Sequence, residues 1–143
     1  MNLVKVTLHL EGLAVLTAAV WVYFTQLEAS WIAFALLLLI PDLSMVGFLR
    51  GTRLGATTYN VVHNYVLVAA VLAAGVIFGA DVVTALGVIL AAHIGMDRAI
   101  GYGLKYPTAF GHTHLQRVGE GGEAAVGDDE AVTEASAPAM RTA

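Results

Sequence analysis

Cysteine is absent from the 143 residues, which removes disulfides, thiolate metal sites, iron–sulfur clusters and cysteine nucleophiles from consideration. Charge is scarce as well. Asp, Glu, Lys and Arg together make up 13% of the chain, against about 25% in an ordinary soluble domain. No basic stripe exists and the formal net charge is −4, which argues against a nucleic-acid-binding role. An HExxH pair, a glycine-rich phosphate loop and a Gly-x-Ser-x-Gly elbow are all missing, so no standard catalytic signature is present. What the chain has in abundance is apolar surface. Hydrophobic residues reach 58%, which excludes a wholly disordered chain and points to a small integral membrane protein in contact with a lipid bilayer.

The hydrophobic residues gather into four runs, at about residues 8–27, 31–49, 59–79 and 82–100. Each is near the 20 or so residues that cross a hydrocarbon core about 30 Å thick. The connections between them are short, which forces antiparallel neighbours. The expected fold is therefore all-α: a four-helix transmembrane bundle of up-down topology over residues 1–117. Residues 118–143 differ in kind. They hold six acidic residues against Arg141 alone and no aromatic residue, and are read as a disordered acidic tail. Glu11 interrupts the first run, which argues against its being a cleaved leader.

Basic residues fix an expected orientation. Lys5 precedes the first run, Arg50 and Arg53 lie between the second and third, and Lys105 and Arg117 follow the fourth. The other two connections carry only Glu28 and Asp81. All these cations fall on one side, which is then cytoplasmic, together with both termini of a multi-pass plasma-membrane protein. Trp21, Tyr23, Phe24 and Trp31 suit the opposite interface. Tyr102, Tyr106 and Phe110, interleaved with Lys105, suit the inner one.

Polar residues inside the spans are costly and persist where they face one another. Here they are Glu11, Asp42, Asn60, His63, Asn64, His93, Asp97 and Arg98, each toward the cytoplasmic end of its own helix. Asp42 stands eight residues before Arg50 and Asp97 eight before Lys105, in each case about 12 Å along a helix. Shared depth predicts convergence. Spacing adds to it, because His93 and Asp97, and likewise Tyr59 and His63, are four residues apart and share a helix face. Pro41, next to Asp42, is expected to kink or break the second span and free a carbonyl at this layer. Gly95, Gly101 and Gly103 allow close approach of helices or local unwinding around Asp97.

Two chemistries fit this inventory. Imidazole and carboxylate together are ligands for a divalent metal (Zn, Mn, Fe or Mg), with Asp42, His63, His93 and Asp97 as the set. A metal there serves hydrolysis of an ester or phosphoester at the inner leaflet, with Glu11 and Asp97 as candidate catalytic carboxylates. The alternative is a non-enzymatic polar layer that binds an ion, a proton or a lipid headgroup, or that simply holds helices together. His112 and His114, two residues apart beyond the fourth span, are positioned to cap the layer, or else are surface histidines. Arg98 points about 100° away from Asp97 on a helix. A bond to Asp42 or Glu11, or a phosphate held at the pocket mouth, is expected for it in preference to snorkelling. Homo-oligomerisation stays open.

Several stretches carry a resemblance: Pro41-Asp42-Leu-Ser-Met, Tyr59-Asn60-x-x-His63-Asn64, His93-Ile-Gly-Met-Asp97-Arg98 followed by Gly101-Tyr102-Gly103, and Phe110-x-x-Thr113-His114-Leu115. Over residues 5–117 the chain resembles the small prokaryotic membrane proteins grouped as domain of unknown function 4260. The resemblance implies a membrane-embedded fold and marks these residues without supplying a mechanism. The acidic tail lies outside it. The Pro-Asp and helical-His arrangement is also loosely similar to metal-dependent hydrolases of the bacterial inner membrane.

Overall fold

The computed structural model describes residues 3–115, so the acidic tail expected over 118–143 and Arg117 lie outside the described residues. The described chain is all-helical. Helix α1 spans Leu3–Thr25, α2 spans Trp31–Leu37, and a 3-10 helix follows over Ile40–Arg50. Helices α3 (Thr52–Val62), α4 (Tyr65–Ile77) and α5 (Asp81–Ile100) complete the fold. The chain then forms a small hairpin in which Lys105 bridges to Thr113 in antiparallel register.

Three stretches are long and apolar enough to cross a membrane: Leu3–Thr25, Trp31–Arg50 and Asp81–Ile100. Helices α3 and α4 together make a fourth when taken as one span bent by 40°. The third run, expected as one continuous helix over 59–79, is thus two. Its break is built locally. His63 leaves helical geometry, and Asn64 adopts extended backbone while its Oδ1 accepts the Leu67 amide at 2.9 Å, capping α4. Asn64 Nδ2 also donates to the carbonyls of Asn60 and Val61, which the break has released. One short amide side chain thereby satisfies both sides of the interruption.

The second span is interrupted at Pro41, as its sequence predicts, but into a 3-10 helix. In that geometry the partner of the Leu38 carbonyl is the amide three residues on. That residue is Pro41, which has no N–H. The orphaned carbonyl is therefore Leu38's, and α5 supplies its partner.

Helix α5 is the hub, packing along α1 on one side and α4 on the other, while α3 packs on the 3-10 helix. Glycines set its distance from α1: a Cβ on Gly95 would stand 2.7 Å from the Leu16 amide nitrogen, and one on Gly12 2.8 Å from the Gly95 carbonyl oxygen. Only bare backbones fit at this crossing. The core gathers Tyr23, Val68, Val88, Ile89, Ala92 and Ile94 around α5. Many large apolar side chains of the described residues lie outside it, on the surface. Leu3, Trp31, Leu49, Val66, Phe78 and Val82 are all exposed, a surface suited to lipid rather than water.

Candidate metal centre

His63 sits at the α3 break and His93 in the middle of α5, exposed 2% and 0% respectively. The break lets the His63 ring fold back so that its Nδ1 donates to the Tyr59 carbonyl at 2.9 Å. The same ring stacks on that of Tyr59 at 3.7 Å. His93 Nδ1 donates to the Leu38 carbonyl at 2.7 Å, the group that Pro41 left without a partner. A carbonyl oxygen can only accept, so in both rings Nδ1 carries the proton. Both Nε2 atoms then present lone pairs, and they face each other at 3.0 Å.

Carboxylates complete the arrangement. Asp42 Oδ1 lies 3.5 Å from each Nε2, and Asp97 Oδ2 lies 3.8 Å from each. Ligands about 2.0–2.1 Å from a tetrahedral ion stand about 3.3–3.4 Å apart, a spacing that the two imidazoles and Asp42, at 3.0 and 3.5 Å, approach and that Asp97 exceeds. Asp42, His63 and His93 satisfy the geometry of a three-residue metal group, with all three ligand atoms within 4.8 Å of one another. Asp97 stands beside them and accepts a 2.8 Å hydrogen bond from the Tyr59 hydroxyl. Each imidazole has a carbonyl behind it and one carboxylate has a phenol behind it, the outer-shell support that metal ligands use for orientation.

A cavity of about 230 Å³ opens onto the carboxylate side, lined by Asp42, Tyr59, Asp97, Tyr102, Lys105 and Phe110 among others. The Asp42 side chain is 44% exposed, that of Asp97 13%. Lys105 is buried in the far wall. Its Nζ donates to the Phe110 carbonyl at 2.9 Å and lies 4.3 Å from the centre of the Phe110 ring, 4.9 Å from Tyr59 and 5.6 Å from Phe48. Burial pushes this ammonium below its usual range, with the charges of Asp97 and Asp42 pulling the other way. Asn60 locks the Lys105 backbone in place, receiving its amide at 2.7 Å and donating to its carbonyl at 2.9 Å.

The comparison with known families adds one fact at this point. The model for domain of unknown function DUF4260 matches residues 5–118. The chain belongs to the DUF4260 family. No curated protein and no solved structure matches it. In this DUF4260 chain the resemblance seen in the sequence and the family assignment cover the same region, which contains every residue of the cluster.

The sequence-predicted residues divide accordingly. Asp42, His63, His93, Asp97 and Tyr59 come together, while Asn60 and Asn64 hold backbone around them. Glu11 does not join them: it is exposed on α1 and does not line the cavity. Arg98 reaches neither Asp42 nor Glu11. Its Nη1 lies 3.4 Å and 3.1 Å from the two ring nitrogens of His114, nearly equidistant, which places it above the ring. His114 Nδ1 accepts the Leu104 amide at 2.9 Å, and His112 Nδ1 pairs with the Thr108 hydroxyl at 2.8 Å. Both histidines therefore build the hairpin. Sequence reasoning missed the aromatic cage of Lys105. Its signal was the alternation of Tyr102, Lys105, Tyr106 and Phe110, which interfacial anchoring explains equally well.

Proposed function

We propose that the chain is a four-span plasma-membrane protein with both termini cytoplasmic. Its cluster binds one first-row transition ion and serves hydrolysis of an ester or phosphoester at the cytoplasmic face. The observation that carries the metal reading is the pair of Nε2 lone pairs at 3.0 Å, each enforced by a carbonyl on the opposite ring nitrogen. Two imidazoles favour Zn, Mn or Fe over Mg, which prefers oxygen ligands. Such an ion supplies Lewis acidity and lowers the pKa of a bound water. Asp97, oriented by Tyr59 and open to the cavity, stands where it can take a proton from an entering water. Glu11 has no part in this reading. A purely structural polar layer would be closed, whereas a catalytic ion keeps an open position. The half-exposed Asp42 beside a 230 Å³ cavity supports the catalytic form.

The test is elemental analysis of tag-free protein grown with Zn, Mn and Fe supplied. Stoichiometric metal is expected, lost in both His63→Ala and His93→Ala and retained in His112→Ala. Metal-free wild-type protein whose thermal stability is unchanged by the two histidine substitutions refutes the centre. Because the chain lacks cysteine, single-cysteine labelling reads the orientation cleanly. Impermeant reagent is expected to reach Ser30→Cys and not Thr52→Cys, and the reverse pattern overturns the topology.

A further inference from the structure

The cluster has a second neighbour. A larger cavity, about 380 Å³, is lined almost wholly by apolar side chains: Leu37, Ile40 and Pro41 of the second span, Val62 of α3, and Leu86 and Leu90 of α5, among others. It opens on the lipid-facing surface, where Ile40 is 52% and Leu86 43% exposed. The groove and the polar cavity are built on the same three elements and share no lining residue. On α5 the groove residues precede His93, whereas Asp97, Tyr102 and Lys105 of the polar cavity follow it. On the second span Leu37, Ile40, Pro41 and Ser44 belong to the groove and Asp42 and Met45 to the cavity, so within the 3-10 helix the two lie on different faces. On α3, which runs the other way, Tyr59 lies in the cavity and Val62 in the groove. Along α5, His93 therefore stands between an apolar slot and a polar chamber that ends at Lys105, and His63 directly follows Val62 of the slot.

Charge completes the picture. Two carboxylates cancel a divalent ion, and the Lys105 ammonium then leaves the chamber with a net positive charge. That ammonium has one hydrogen bond to a carbonyl and aromatic faces around it, and among the described residues no carboxylate lies within ion-pair distance of it. A buried cation of this kind fits an incoming anion. We infer that the ligand of this site is a membrane amphiphile with a phosphate headgroup, its acyl chain in the groove beside Leu86 and Leu90 and its phosphate between the cluster and Lys105. The inference rests on the metal reading for the charge of the chamber and names the substrate class for it.

The test compares three probes on holoprotein by native mass spectrometry: lysophosphatidate, glycerol 3-phosphate (the headgroup without the chain) and lysophosphatidylcholine (the chain with a zwitterionic head). Lysophosphatidate is expected to be retained at least about tenfold better than either, since chain burial and charge each contribute. Leu86→Trp and Ile40→Trp, both at the exposed rim, are expected to reduce it to the level of glycerol 3-phosphate. Lys105→Gln is expected to reduce it to that of lysophosphatidylcholine. Equal retention of lysophosphatidate and glycerol 3-phosphate by the wild type assigns the site to a water-soluble phosphate and overturns the inference. So does full retention in both groove variants. Metal content measured on the same samples separates the two readings. Metal-loaded protein without groove dependence overturns the amphiphile alone, and metal-free protein with groove and Lys105 dependence overturns the metal centre alone.

Discussion

Pro41→Ala separates the metal centre from the stability of the fold. The proline leaves the Leu38 carbonyl without a backbone partner, and His93 Nδ1 takes it at 2.7 Å. Alanine restores an N–H at position 41, which recovers one backbone hydrogen bond worth about 1 kcal/mol. It also removes two methylene groups from a buried site, a loss of about 1.6 kcal/mol at 0.8 per group. The two nearly cancel, so the apoprotein's melting behaviour in EDTA should change by less than about 1 kcal/mol equivalent. The metal site should respond differently. Competition for the Leu38 carbonyl removes the group that fixes the His93 tautomer, and loss of such an outer-shell partner typically costs about 10–100-fold in affinity. The assay is a competitive chelator titration beside a thermal scan of the same chelator-stripped preparation. Weakened metal binding with unchanged apo stability is the expected signature, and general unfolding cannot mimic it. Unchanged affinity, or a loss that only tracks a fall in melting temperature, refutes the link between the proline and the histidine.

Tyr59→Phe keeps the ring stacked on His63 and deletes the 2.8 Å bond to Asp97; metal affinity should fall about tenfold, measured by the same titration, with no loss expected in Tyr65→Phe. Burial, and then the charge of Arg98, hold the His114 imidazole below its usual value. The unfolded chain thus takes up a proton near pH 6.5 that the folded hairpin refuses, and stability should fall as pH drops below about 6.5 until the lower folded value is reached. Melting curves from pH 8 to 5 should show this slope, flattened in His114→Gln. At the α1–α5 crossing, Gly95→Ala places a Cβ 2.7 Å from the Leu16 amide nitrogen. Such overpacking should cost about 1–3 kcal/mol in thermal scans in detergent, and an unchanged melting temperature refutes the close packing of this crossing.

The depth rule read the cluster well because membrane physics makes it strong: ionisable groups inside spans converge or vanish. Asp42, His63, His93 and Asp97 obeyed it. Glu11 satisfied the same rule on paper and is exposed, because depth fixes height along a helix and leaves the direction around it undetermined. Pro41 announced a break and a freed carbonyl, but not the 3-10 geometry, since both helical forms share an apolar stripe; an α-helix would free the carbonyl of Leu37, four residues before the proline, whereas the 3-10 form frees that of Leu38. The interruption at His63 and Asn64 was hidden for a related reason. Hydropathy runs on through Tyr65 and Val66, and only the capping bond of Asn64 to Leu67 marks the new start. The cage around Lys105 joins residues 48, 59 and 110 across three segments, a tertiary fact with no local periodicity to betray it.

Two lone pairs at 3.0 Å have one other resolution, a single proton shared between the rings. The two resolutions ask different things of the surroundings. A proton on the line between the nitrogens needs counter-charge nearby but sets no rule for where it sits, and with two carboxylates it leaves the cluster negative. An ion needs every ligand at a common distance from one centre. Asp42 Oδ1 is 3.5 Å from His63 Nε2 and 3.5 Å from His93 Nε2, and Asp97 Oδ2 is 3.8 Å from each. These carboxylates come from different elements, Asp42 from the first turn of the 3-10 helix and Asp97 from the last turns of α5. Both are nevertheless equidistant from the two nitrogens. On the proposed reading, an ion held by the two nitrogens and Asp42 would account for the 3.0 and 3.5 Å separations and leave Asp97 beside it at 3.8 Å, and with both carboxylates it would bring the cluster to neutrality where a proton does not.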